Sequence, residues 1–249
     1  MTGRSGSSGP VPASRFGAVV DAHDEVPGNL SESVRRSLVH GRPLWRGVMH
    51  RAAVPLAVAG GVALVWQTPS GADRLGAGVF AAGALLMFVA SALVHLRRWP
   101  IHVWEMLFRF DHAAIFILIA ASATPVAVSS LEGRSAQLLL WATWIGAVIG
   151  VTLRMLPFHP PRGLMNTLFL SLGWVPIMVA PDLFRALDTS VLVLIVVEGL
   201  LYSGGAIMLG VRWPDLSPRV FGYHEVWHAL VTAAVAIHFV AVAMIVGAG

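Results

Sequence analysis

The chain has 249 residues, of which 56% are hydrophobic and only 12% are charged, whereas about 25% of the residues of a soluble domain are charged. Its mean hydropathy is +0.74, so much of its surface has to face lipid. The net charge is +4, all basic residues are arginine, and there is no cysteine. The composition therefore excludes disulfides and thiolate sites, and membrane topology explains the arginines better than nucleic-acid binding does.

Residues 1–40 are rich in Ser, Gly, Pro and charged side chains, and they show no sustained hydrophobic period. Such a segment cannot bury enough apolar surface to offset the entropy of ordering it. We therefore predict a disordered cytoplasmic tail over residues 1–40. The remaining residues, 41–249, are predicted to form a single seven-helix transmembrane domain.

Seven apolar segments follow the tail, and each has nearly the length of about 20 residues that a helix needs to cross a bilayer. The first is short and is expected to begin nearer Val48. The pattern predicts an all-α, multi-pass protein of the cell membrane with seven transmembrane helices. The segments run over Ala52–Gln67, Ala77–Leu96, His112–Val128, Gln137–Leu153, Leu164–Ala180, Ser190–Val211 and Tyr223–Val246.

The arginines are distributed unevenly between the two sets of connecting segments. Fourteen lie in the tail and in the segments on the same side of the membrane, and three, Arg74, Arg134 and Arg185, lie in the loops on the other side. Cytoplasmic segments carry the excess of basic residues. We therefore expect the N-terminus inside and the C-terminus outside.

Polar residues from three distant parts of the chain fall at the inner ends of these segments. His224 and His228 are four residues apart, so on a helix they share one face. His95 ends the second segment, Ser91 lies one turn before it, and Asp111 lies at the predicted start of the third segment. The topology places all five at one membrane depth, where ionisable groups are costly and indicate function.

Three histidines and a water would form a four-coordinate zinc site of the catalytic type, and a zinc-bound water is a nucleophile near neutral pH. Asp111 could then act as general base and Ser91 could orient the water or a carbonyl. Blander interpretations remain open: His95 as an interfacial residue, Asp111 as a helix cap or salt-bridge partner after Arg109, and Ser91 bonded back to a carbonyl one turn earlier.

The other histidines are weaker candidates for metal binding. His50, His102 and His112 also lie near the inner face. His238 lies about two and a half turns deeper than His228, so it is predicted to be a buried hydrogen-bonding residue and not a fourth ligand. His23, His40 and His159 are interpreted as loop residues.

The string from His224 to His228 also reads His-Glu-x-x-His, which in zinc metalloproteases supplies two ligands and a glutamate as general base. An intramembrane zinc protease is therefore an alternative. Against it, no later segment is present to supply an Asp-Gly ligand motif, and Glu225 points about 100° away from His224 on a helix.

The motifs together resemble the haemolysin III family, the bacterial branch of the progestin and adipoQ receptor superfamily that includes the adiponectin receptors. The combination of Ser-x-x-x-His, Asp and His-x-x-x-His is specific, whereas each motif alone is weak. The sequence departs from many relatives at residues 121–123, Ala-Ser-Ala, where a Gly-Thr-Tyr-like stretch is common. The matching stretches are Arg46–His50, Ser91–His95, Phe110–Ile115 with Thr124–Pro125, Phe221–His228, and His238–Phe239.

This resemblance implies seven helices with an intracellular N-terminus and a Zn²⁺ ion held by His95, His224 and His228 through a water near Asp111. It also implies ceramidase-like chemistry, so we expect a zinc-dependent hydrolase of a lipid amide or ester with a role in membrane lipid homeostasis. Asp111 and Ser91 would be the catalytic residues and a membrane lipid the substrate or ligand. A non-catalytic zinc-stabilised sensor and a pore-forming haemolysin stay open, although a pore would need a polar stripe along several helices.

Overall fold

A computed structural model of the protein describes residues 43–97, 99–157, 163–217 and 219–247. The predicted tail, residues 1–40, lies outside these ranges, as do His23, His40 and His159. The described residues belong to one compact unit that begins at Pro43.

The described part of the chain contains seven helical spans that are long and apolar enough to cross a membrane, as predicted. The C-terminal boundaries predicted from hydropathy are within two residues of the observed ones, except in the fifth span. The helices are α1 (Val48–Gln67), α2 (Ala72–Leu96), α3 (Ile101–Ser130), α4 (Gly133–Met155), α5 (Leu164–Gly173), α6 (Ala180–Ala186), α7 (Thr189–Val211) and α8 (Tyr223–Gly247).

Helix α3 begins eleven residues earlier than predicted, at Ile101 and not at His112. The added turns carry Glu105, Arg109 and Asp111. These charged residues lower the hydropathy of the first turns of α3, so an apolar-segment criterion places the start of the helix too late. Asp111 therefore lies inside a continuous helix, nearly three turns from its start, and its interpretation as a helix cap is wrong.

The fifth span is interrupted. Helix α5 is followed by a 3₁₀ segment, Val175–Val179, and then by α6. Pro176 cannot donate a backbone hydrogen bond, and Pro181 lies in the first turn of α6. Such breaks are tolerated in membrane spans where neighbouring helices and side chains satisfy the freed groups.

Helix α3 is the most buried of the seven spans. In its most apolar stretch 61% of the residues are buried, against 50% in α2 and 39% in α8. Close approach of α2 to α3 depends on small residues. A Cβ added to Gly83 would lie 2.4 Å from the Cβ of Ala121, and one added to Gly76 would lie 3.0 Å from the Cα of Pro125. The three most buried helices are also those that carry the predicted site residues.

Candidate metal centre

The structure brings His95 of α2 together with His224 and His228 of α8. Their ligand nitrogens all lie within 4.8 Å of one another. The ring centroids are 5.4 Å apart for His95 and His224, 5.2 Å for His95 and His228, and 4.6 Å for His224 and His228. His95 and His228 are buried, and His224 is half-buried.

This group fits a metal ion by geometry and by donor chemistry. Nitrogens that share one tetrahedral zinc lie about 3.3 Å apart. The ligand nitrogens of the three histidines, which lie within 4.8 Å of one another, would therefore move closer together around an ion. Nε2 of His224 is buried and has no hydrogen-bond partner among the described residues, as expected for a nitrogen intended for a metal. Imidazole ligands suit zinc, copper, iron and nickel, so the donor set does not by itself select zinc.

Ser91 and Asp111 face each other beside the histidines. Asp111 is 8% exposed and Ser91 is 1% exposed, and the two side chains lie within electrostatic reach. However, Oγ of Ser91 has no partner in hydrogen-bond geometry among the described residues. The interpretation that Ser91 bonds back to a carbonyl of the preceding turn is therefore wrong. Such bonds are made instead by the hydroxyls of Thr68, Thr124, Thr143 and Thr232.

Charged residues lie around Asp111, in the N-terminal part of α3 and at the C-terminal end of α4. Nε of Arg109 donates to Oε1 of Glu105 at 3.0 Å, and its Nη1 donates to the carbonyl of Leu156. Arg109 is therefore bound by Glu105, not by Asp111 as one interpretation had it. Arg154 of α4, only 4% exposed, brings a positive charge near both Asp111 and Glu105.

Glu225 lies in the first turn of α8 but does not belong to the histidine cluster. Its Oε1 accepts from Nε of Arg46 at 2.5 Å, and its Oε2 accepts from the backbone N–H of Gly222 at 2.9 Å. The second contact is half of a capping box, in which the residue at the third helical position satisfies the N–H at the cap. Glu225 is 1% exposed, so both oxygens are committed to structural contacts.

The segment before α1 packs against the residues that precede α8 and against His95. The backbone N–H groups of Leu44 and Trp45 donate to the carbonyls of Arg219 and Val220 at 3.1 and 3.2 Å. Gly47 then turns the chain into α1 with a φ of +73°, and a Cβ added there would lie 2.3 Å from the Cβ of His95. Glycine is required at this position for both backbone and space.

The remaining histidines fall in different places. His238 is buried, and its Nδ1 lies 2.7 and 2.8 Å from the two oxygens of Glu198 while its Nε2 donates to the carbonyl of Ser122 at 3.0 Å. This confirms the prediction of a buried hydrogen-bonding residue. His112 contacts the carbonyl of Phe108 through Nδ1 at 2.9 Å, and His102 is exposed.

His50 is the fourth imidazole of the cluster. Its ring stacks on that of His228, with centroids 4.1 Å apart and planes 9° from parallel. Sequence reasoning gave little weight to His50 and none to Gly47, Arg46 or Arg154 as parts of the site. An arginine inside an apolar span is itself a functional indication, and Arg154 is such a residue.

Comparisons with known proteins agree with this arrangement. The family model described as "Haemolysin-III related" matches residues 40–239. The chain is 28% identical over 163 residues to the hemolysin-3 homolog of Bacillus subtilis (strain 168), which covers 65% of this chain and 72% of the relative. It is 31% identical over 184 residues to the heptahelical transmembrane protein ADIPOR2 of Oryza sativa subsp. japonica, covering 66% and 79%. It is also 25% identical over 175 residues to the human monocyte to macrophage differentiation factor, covering 68% and 70%.

Proposed function

The chain belongs to the haemolysin III-related family of the progestin and adipoQ receptor superfamily, and we propose that this integral membrane protein is a zinc-dependent hydrolase of a lipid amide or ester. The observation that carries the proposal is the convergence of His95, His224 and His228 with Asp111 and Ser91 inside a membrane domain. The carboxylate of Asp111 and the hydroxyl of Ser91 beside these ligands are the groups that hydrolysis by a metal-bound water would use.

His95, His224 and His228 would hold the ion. When bound, zinc supplies a Lewis acid that polarises the substrate carbonyl and makes a coordinated water nucleophilic near neutral pH. Three protein ligands leave a coordination position open, as in catalytic zinc sites. The closed cluster of histidines, largely buried from water, is where such chemistry gains most from electrostatics.

Asp111 is proposed to accept the proton that the attacking water loses and to pass it to the leaving group. Arg154 lies close enough to stabilise its negative charge. Ser91, whose Oγ is unsatisfied by the described residues, would donate a hydrogen bond to the carbonyl oxygen. A positioned acid–base group contributes about 10²- to 10⁴-fold in rate.

The location of the cluster supports the proposal of a lipid substrate. The cluster lies near the inner ends of α2 and α8, which are long and apolar enough to cross a bilayer. A substrate whose amide or ester bond reaches the cluster would therefore keep the rest of its length in a membrane environment, as the acyl chains of a lipid do. The cell (plasma or inner) membrane, with the cluster toward the cytoplasm, is the proposed location.

The intramembrane protease alternative is disfavoured by Glu225, because Arg46 and Gly222 occupy its carboxylate oxygens. A pore is disfavoured because the described histidine cluster lies near one end of the bundle. A zinc-stabilised sensor without turnover uses the same ligands and is separated from the hydrolase by measurement of catalysis.

The direct test is the metal content and lipid hydrolysis of the purified protein. We expect about one zinc per chain, and we expect His224→Ala and His228→Ala to lose most of it, since even losing a group that only orients a ligand lowers metal affinity roughly 10- to 100-fold. His238→Ala is the matched control and should retain zinc. Zinc with no hydrolysis of ceramides or phospholipids would favour the sensor, and full zinc retention in a His224→Ala, His228→Ala double variant would reject the site.

A further inference from the structure

Two apolar grooves run along the lipid-facing surface of α1 and α2, and Arg74 lies where they meet. The larger groove, of about 630 Å³, lies between α1 and α2, and the smaller one, of about 490 Å³, follows the other side of α2. Arg74 and Ala82 line both grooves. Arg74 belongs to the first turn of α2, so its charged group stands at one end of two apolar channels.

The position of the grooves along α2 places them in one half of a membrane. From Arg74 to Leu85, the last groove residue of α2, there are eleven residues, which is about 16 Å of helix. That length is roughly half of the hydrocarbon core of a bilayer. His95 of the metal centre lies 21 residues beyond Arg74, or about 32 Å along the same helix. The grooves therefore lie in the leaflet opposite the histidine cluster.

The grooves have a floor of small residues and walls of large ones. A Cβ added to Gly61 of α1 would lie 3.0 Å from the Cβ of Ala81 of α2, so the two helices nearly touch along the floor of the larger groove. Val62 and Trp66 border this groove, Leu75 borders the smaller one, and all three are exposed. A narrow channel between such side chains has the shape that an extended hydrocarbon chain fills.

Arg74 supplies a cationic group at the mouth of both channels. Its Nε donates to the carbonyl of Thr68 at 2.9 Å, which holds the guanidinium in place and leaves the four N–H donors of its two Nη groups. Asp73 precedes it in sequence but forms no ion pair with it among the described residues. Trp66, 84% exposed, ends α1 at the same level, where tryptophan marks the headgroup region. A phosphate is the anion that a guanidinium binds best at that level.

We propose that a diacyl phospholipid occupies this surface, with its phosphate on Arg74 and one acyl chain in each groove. The site is separate from the metal centre and does not depend on the proposed hydrolysis. Two apolar channels that start from one cation match two acyl chains that start from one phosphate, and their length matches one leaflet. A diacylglycerol has the same chains without the anion, so it should bind more weakly.

A second copy of the chain fits the grooves less well. Gly78 and Ala82 are four residues apart, a spacing of small residues that lets membrane helices approach closely. However, the exposed side chains of Trp66 and Leu75 would stand between the two helices. A symmetric dimer would also bring the Arg74 of each copy to the same depth, and burying both charges without an acidic partner is costly.

The test is native mass spectrometry of delipidated protein with three probes, dioleoyl phosphatidylglycerol, dioleoyl phosphatidylethanolamine and dioleoylglycerol. We expect one phospholipid to bind per chain, and Arg74→Gln to bind both phospholipids roughly tenfold more weakly, since hydrogen bonds to charged groups are lost. Ala82→Trp fills the place where the grooves meet and should lower the affinity by a similar factor. Arg134→Gln is the matched control, because Arg134 is exposed in the first turn of α4 and lines neither groove.

Equal phospholipid affinity in the parent, Arg74→Gln and Ala82→Trp would overturn the proposal. So would equal binding of dioleoylglycerol and the phospholipids by the parent, because Arg74 would then bind no phosphate. A lipid-free parent dimer that Ala82→Trp converts to a monomer would assign the grooves to a second copy of the chain. Arg74 and Ala82 are exposed, so both variants should keep the melting temperature and the metal content of the parent. A protein without zinc or hydrolysis would overturn the proposed function and leave this test unchanged.

Discussion

Nε of Arg46 donates to Oε1 of Glu225 at 2.5 Å, joining the segment before the first helix to the first turn of the last one. These residues are 179 positions apart in sequence. The ion pair fastens the segment before α1 to the helix that carries His224 and His228. It also gives the glutamate of the His-Glu-x-x-His string a structural partner, which in a metalloprotease it would not have.

Glu225→Gln tests this assignment. We expect zinc content unchanged and lipid hydrolysis within about threefold of the parent, because Glu225 does not face the metal ligands. Stability in detergent should fall by about 2 kcal/mol, less than the 3–5 kcal/mol for a fully buried pair, because Arg46 keeps 17% exposure. Arg46→Gln is the matched control, because it breaks the same ion pair and leaves the Glu225 carboxylate in place; it should lose a similar amount of stability and keep its turnover. A 10²- to 10⁴-fold loss of turnover in Glu225→Gln alone would instead identify Glu225 as a general base.

Gly47→Ala should damage the metal centre without touching a ligand. The new Cβ would meet the Cβ of His95 at 2.3 Å, so His95 has to move, and we expect zinc affinity to fall roughly 10- to 100-fold. Gly163→Ala is the control, since Gly163 has a similar φ of +83° but nothing within 4 Å of its added Cβ. It carries only the backbone cost of about 1–2 kcal/mol. Equal zinc affinity in both variants would contradict the close packing of Gly47 on His95.

The Glu198–His238 pair should stabilise the bundle and be dispensable for zinc. Glu198→Leu leaves His238 buried with an unmet nitrogen, and we expect a loss of about 3–5 kcal/mol if the pair is ionic. A neutral hydrogen bond between membrane helices contributes only about 0.6 kcal/mol on average, so the size of the loss distinguishes the two forms. The double variant Glu198→Leu, His238→Phe should recover most of the stability. Zinc content, measured on the same preparations, should stay constant.

Orientation across the membrane is a separate prediction. The arginine distribution predicts that the loop near Arg162 lies inside and the C-terminus outside. A reporter fused after Gly249 should report the outer side, and one inserted near Arg162 the inner side. A C-terminal reporter on the inner side would reverse the orientation, and with it the cytoplasmic location of the histidine cluster.

The seven spans and the grouping of His95 with His224 and His228 could be predicted from the sequence, because hydropathy determines the spans and helical spacing puts the two histidines of α8 on one face. The start of α3 and the roles of His50 and Gly47 could not be predicted from the sequence, because they depend on tertiary contacts. The early start of α3 was missed because Glu105 and Arg109 make the first turns polar, although they bind each other at 3.0 Å. His50 and Gly47 were undervalued because only the folded bundle brings α1 against His95 and His228.

Asp111 is the residue whose proposed and structural roles differ most. Asp111→Asn keeps its size and hydrogen bonding but removes the proton acceptor and the negative charge near Arg154. If Asp111 acts in hydrolysis, turnover of a lipid amide should fall by about 10²- to 10⁴-fold while zinc stays bound, since Asp111 is not among the grouped ligands.

If the cluster is only structural, the same change should mainly lower the melting temperature, because Arg154 loses a buried counter-charge, and the parent should hydrolyse no lipid. Zinc content, melting temperature and hydrolysis are therefore measured together on the parent and on Asp111→Asn. Equal hydrolysis by both proteins would remove Asp111 from the mechanism and leave its carboxylate as a partner of Arg154. A large loss of turnover at unchanged zinc content is the one combination that a structural role does not produce, because a structural residue alters stability before it alters a single chemical step.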